Sequence, residues 1–162
     1  MSQRPDTKRE MLRHAIATLA YRGGKAVRNA PPSVAGFRAG EKTRTPVEIL
    51  AHIGDLLDWA LSIARGKETW RNAPPRSWDE EVERFFAGLA ALDAHLASGA
   101  PLACPPEQMF QGPIADALTH VGQISMLRRM AGSPVRGESY FRADIVTGRV
   151  GPEQSLPRRE FD

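Results

Sequence analysis

TPVEILAHIGDLLDWALSIARG, residues 45–66, carries its own start and stop signals. Thr45 is a good N-cap residue. Pro46 suits the first helical position, where its missing N–H would have been unpaired anyway. Glu48 stands three residues after Thr45, where its side chain can close a capping box. Gly66 offers a C-cap. Between these signals Ile49, Ile53, Leu56, Leu57, Ala60 and Ala64 recur at spacings of three and four, an apolar arc along one side of a helix. Asp55 and Asp58 are predicted on the other side. Such an arc must be buried against other elements, so the rest of the chain has to supply partners.

Three further helices are predicted around it. One begins at Ser77, again with an acid three residues on (Glu80), and ends at Ser98–Gly99. Its apolar residues Trp78, Val82, Phe85, Leu89, Leu92 and Leu96 alternate at four and three, a heptad-like seam suited to near-parallel packing. Another runs from about Arg4 to Arg28 through Leu12, Ile16, Leu19 and Ala20, with Gly23–Gly24 weakening its second half. The last begins at Gly112–Pro113 and ends at Ala131–Gly132. In its segment 113–127 Asp116 is the only formal charge, which predicts a helix buried on most sides. The fold class is therefore all-α: one domain over residues 1–162, a four-helix bundle over about 5–132, and a mostly irregular C-terminal tail over 133–162 that holds a short strand or turn or lies across the bundle. The link between the first two helices, about 17 residues, is long for a bundle and is expected to be functional or to run along its outside.

Composition narrows the function. The chain has 162 residues, 41% hydrophobic and 25% charged, ordinary for a globular protein. No run approaches the roughly 18 apolar residues of a membrane span, and the charged N-terminus lacks an apolar signal segment, so a cytoplasmic protein without membrane association is expected. A net charge of +3 with scattered Lys and Arg, and no basic stripe interleaved with aromatics, argues against nucleic acid as a partner. Arg128 and Arg129 are read as complementing a helix dipole. Cys104, the single cysteine, rules out an intramolecular disulfide and a multi-cysteine zinc site, and is read as an inert loop thiol.

Asp116, His120 and Gln123 form a polar stripe at helical spacing. An Asp–His pair at i and i+4 can be a simple ion pair. It can also offer two ligands to one ion, with a third from a facing helix. His52, on the flank of the second helix with Leu56, Trp59 and Ile63, is the candidate third ligand. Its bland alternative is a half-buried histidine bonded to a carbonyl. Gly54 leaves room there for another element to approach. Two histidines and a carboxylate suit zinc, nickel or iron(II) with open positions. Gln123 is a candidate to orient a ligand or metal-bound water, or else a buried amide serving a neighbouring helix. Trp59 and Tyr140 are candidate pocket residues, with plain packing as the alternative. His14 and His95 are expected at the surface.

Two segments carry a family resemblance. EILAHIGDLLDWALSIARG (48–66) and DALTHVGQISMLRRMAGSPV (116–135) resemble the second- and fourth-helix motifs of the DinB/YfiT-like proteins. The tail ESYFRADIVTGRVG resembles an extension found in one branch of them. The resemblance implies an up-down-down-up four-helix bundle, often a homodimer, with a divalent metal held by one His of the second helix and two of the fourth. His52 and His120 occupy two of those places, and Asp116 stands where a His is usual. Characterised relatives include glutathione- or mycothiol-dependent isomerases and transferases that attach bacillithiol to electrophiles. The resemblance therefore implies a metal-dependent enzyme using a low-molecular-weight thiol on a small electrophile. The alternative is a non-catalytic dimeric bundle with a degenerate metal site that binds a small ligand or partner.

Overall fold

The computed structural model describes residues 6–161. Four long elements form the bundle: α1 (Thr7–Val27), α3 (Pro46–Ala64), α4 (Trp78–Ala97) and α6 (Ala115–Met130), with short helices α2 (Pro32–Ala35) and α5 (Pro106–Met109) in the connections. The predicted start of the first helix at Arg4 lies outside the described residues. Within them Asp6 caps α1, accepting from the N–H groups of Lys8 and Arg9. Both predicted capping boxes close, Thr45 with Glu48 and Ser77 with Glu80. At the other end of α3, the N–H groups of Gly66 and Lys67 turn back onto the carbonyls of Ile63 and Ser62.

The helices form a ring in which α1 packs on α4 and α6, and α3 packs on the same two. Their directions follow from which residues meet. Arg9 near the start of α1 bonds the Leu96 carbonyl at the end of α4, so those two are antiparallel. Ala51 meets Arg84 and Leu57 meets Gly88, so α3 and α4 run the same way. Arg128 at the end of α6 reaches the Ala26 and Arg28 carbonyls at the end of α1, so α1 and α6 also run together. The order is up-down-down-up. The core holds Leu12, Ile16 and Leu19 from α1, Ile49, Ile53 and Leu57 from α3, Phe85, Leu89 and Leu92 from α4, and Ile124 from α6. Gly23 has a packing reason: a Cβ there would lie 2.5 Å from the Phe85 ring, so its absence lets α4 approach α1.

Three expectations need correction. The last helical run begins at Pro106, not at Gly112–Pro113: α5 continues through a π-helical turn, Phe110–Ile114, into α6. Pro113 sits inside that turn, where its missing N–H cannot serve an α-helical bond and a widened turn accommodates its ring. Segment 113–127 is not buried on most sides. Ala117, Val121 and Ile124 face the core, whereas Asp116, Thr119, Gln123 and Met126 are exposed. Asp55, predicted on the side away from the apolar arc, is buried there, because Arg84 of α4 brings a countercharge to it. Arg128 serves mainly the carbonyl end of α1 rather than only its own helix.

The tail is largely irregular. Strands β1 (Gly137–Glu138) and β2 (Glu160–Phe161) pair antiparallel and close it into a loop. Buried Glu138 accepts from the Tyr21 hydroxyl at 2.8 Å and from Lys25 at 2.7 Å, which straps the tail across α1.

Candidate metal centre

α3 and α6 run antiparallel along one edge of the ring, and their facing sides bring three predicted residues together. The His52 Nε2 lies 3.9 Å from one Asp116 carboxylate oxygen, and the His120 Nε2 lies 3.5 Å from the other. The two imidazoles meet edge to face with centroids 4.7 Å apart. One donor atom from each side chain falls within 4.8 Å of the others, and among the described residues this is the one group of three His, Cys, Asp or Glu so arranged. The π-helical turn bears on this placement. One extra residue in a turn rotates everything after it by about 100°, so the turn sets which residues of α6 face α3.

The donor set fits a divalent ion. Neighbouring ligands of a tetrahedral zinc lie about 3.3 Å apart. The observed 3.5 and 3.9 Å, and the 4.8 Å within which all three donor atoms lie, are wider, so the side chains would draw together to grip an ion. No hydrogen bond joins the three side chains. The His120 Nδ1 instead lies 2.8 Å from the Gln123 Oε1. An amide oxygen only accepts, so Nδ1 carries a hydrogen, and in the neutral ring the lone pair is on Nε2, the atom beside Asp116. At His52 burial pushes the pKa down, helped by His120 and Arg44 and opposed by Asp116 and Asp55, which favours the neutral ring. A neutral imidazole is the form that binds metal. The carboxylate of Asp116 is about half exposed, at 48%, so the group opens to solvent on that side.

The surroundings sort the other candidates. Gln123 is exposed and serves His120, not a neighbouring helix. Trp59 lines a surface depression with Gln111, Gly112, Ala115, Asp116 and Thr119, and its Nε1 donates to Glu68 at 3.1 Å. Tyr140 packs edge-on against Tyr21 and under the Arg22 guanidinium, contacts that belong to α1. Trp70 went unpredicted: it stands edge-on to both His52 and Trp59, each at 5.7 Å between centroids. No periodicity marks it, since it lies in the irregular segment between α3 and α4. Gly54 does admit a close neighbour, the Arg84 guanidinium, 2.8 Å from where a Cβ would be.

Two histidines expected at the surface are half-buried instead. His14 meets the Thr147 hydroxyl at 3.2 Å under the tail, and the His95 Nε2 is enclosed without a hydrogen-bond partner among the described residues. Burial pushes the Cys104 thiol pKa up, so it favours the unreactive thiol. Among the described residues no helix is long and apolar enough to cross a membrane. Comparison with protein-family models, with curated proteins and with solved structures gave no match.

Proposed function

We propose that this chain is a divalent-metal-dependent enzyme of DinB/YfiT-like type that uses a low-molecular-weight thiol to transfer to, or isomerise, a small electrophile. One observation carries the reading: His52, Asp116 and His120 converge from two helices, with the Nε2 atoms of both imidazoles beside the Asp116 carboxylate. The resemblance of residues 48–66 and 116–135 to that family supports the finer assignment. His52, Asp116 and His120 would hold the ion. When bound, it supplies the positive charge that favours thiolate over thiol near neutral pH. The chain's own side chains do the rest. Gln123 keeps His120 in the tautomer that offers Nε2, and Trp70 stands edge-on to the His52 ring. Burial raises the Cys104 thiol pKa, which agrees with a reaction that brings its thiol with the substrate.

The test has two halves. Elemental analysis of freshly purified protein is expected to give one zinc, nickel or iron per chain. A screen of glutathione, mycothiol and bacillithiol against chlorodinitrobenzene is expected to give metal-dependent turnover with one of them. Protein that carries metal yet turns over none of the thiols leaves only the binding half standing. Protein without metal returns Asp116 and His120 to a structural ion pair.

A further inference from the structure

A cleft of about 440 Å³ opens beside His52, walled by the late part of the long link before α3, by α3 itself and by Asn72, Ala73 and Pro75. His52 belongs to both the triad and the cleft, so a molecule lying in the cleft can reach the triad. Three cations line the cleft, Arg38, Lys42 and Arg44, against three acids, Glu41, Glu48 and Asp55. Two of the acids are committed elsewhere. Asp55 accepts from Arg84 at 2.7 Å and from the Ala73 N–H at 3.3 Å. Glu48 closes the capping box, accepting from the Thr45 N–H at 2.7 Å, and pairs with Arg38 at 3.6 Å. Arg38 also donates to the Thr43 carbonyl. Lys42 and Arg44 are exposed and have no hydrogen-bond or ion-pair partner among the described residues, which leaves them opposed by Glu41 alone. Arg44 and His52 line the same cleft. An ion of charge two held by one carboxylate and two neutral imidazoles would leave a net positive centre next door.

We propose that the cleft is an anion subsite, in which Lys42 and Arg44 hold a carboxylate or phosphate group of the small molecule whose reactive end reaches the His52–Asp116–His120 centre. The second half of that statement rests on the metal reading; anion binding by the cleft does not. The long link between α1 and α3 then has its reason, because it carries both cations to the mouth of the site.

The test is titration of inorganic phosphate and, separately, succinate into chelator-treated and zinc-loaded protein, followed by amide NMR. Saturable shifts confined to residues 38–52 and 72–75 are expected in both forms. The Lys42→Ala/Arg44→Ala double variant should weaken binding roughly tenfold or more, since each charge-assisted contact is stronger than a neutral one. Arg129→Ala, with an exposed cation on α6, should leave it unchanged. Tighter binding of phosphate or of succinate identifies which group the cleft prefers. His120→Ala separates the two claims: it should abolish metal binding and keep phosphate binding. Absence of saturable shifts in this segment for both anions, or equal affinity in the double variant, overturns the proposal.

Discussion

On the α4 side of α3, the Arg84 guanidinium is bonded by Asp55 at 2.7 Å, by Asp58 at 2.6 Å and by the Ala51 carbonyl at 3.2 Å, with Glu81 3.5 Å away. On the α6 side of the same helix, His52, Asp116 and His120 face one another without a hydrogen bond between them. The first cluster contains its own cation. Burial opposes the Arg84 charge, but the bonds to Asp58 and Asp55 outweigh it, and the guanidinium pKa is raised. The second brings together two imidazoles and a carboxylate. Buried and half-buried charges require partners. A cluster that holds its own cation acts as a lock between helices, whereas the His52, Asp116 and His120 group is one that could hold a metal ion.

Breaking the lock should have the largest effect. Arg84→Met leaves the buried carboxylates of Asp55 and Glu81 without their cation. It is expected to cost about 3–5 kcal/mol, read as a lowered midpoint in urea unfolding. Metal binding should be affected only through this loss of stability.

The triad should behave in the opposite way. His120→Ala is expected to change the stability of chelator-treated protein little, because no hydrogen bond to another helix is removed. Zinc at 100 times its Kd should stabilise the wild type by about 2.7 kcal/mol and the variant by nothing. Thermal melts with zinc and with chelator measure both. An equal shift in the two proteins would move the ion to some other site.

Gln123→Ala sharpens the contrast from outside the donor set. Loss of the bond that fixes the His120 tautomer should weaken metal affinity by about 10–100-fold, measured by competition with a chromophoric chelator. Unchanged affinity would make the amide a bystander.

The smallest effect is in pH. His52 has its pKa lowered from 6.5, first by burial and then by His120 and Arg44. As pH falls, the unfolded chain therefore takes up this proton before the folded one does. The contribution of His52 to metal-free stability is complete above about pH 6.5 and is lost as pH falls through its folded value. His52→Gln should flatten that slope in denaturation series run at stepped pH. Arg84, with its pKa raised, contributes no slope in this window.

The same contrast explains what could be read from the sequence. The capping boxes at Thr45 and Ser77 are contacts across three residues, and the heptad seam of α4 repeats within one element, so local spacing revealed both. Asp116 and His120 are one turn apart, His52 stood out on the flank of the helix expected to face them, and the family resemblance gave the three their common role. The burial of Asp55 was not legible, because periodicity marks it only as polar. Its burial depends on Arg84, 29 residues further on. Pro113 read as a helix start because proline suits a first turn, and the π-helical turn that absorbs it has no sequence pattern of its own. Trp70 reaches His52 because the segment carrying it is tied back by the Thr69 N–H to the Ser62 hydroxyl at 3.0 Å and by the bond from Trp59 to Glu68. The tail strands pair Gly137 with Phe161, a register that two-residue strands cannot announce.

Equilibrium dialysis of chelator-stripped protein against zinc is the most direct measurement. One ion per chain is expected in the wild type and in Arg84→Lys, and none in His52→Ala, Asp116→Ala or His120→Ala. Wild-type protein that retains no more zinc than those three variants would contradict the account.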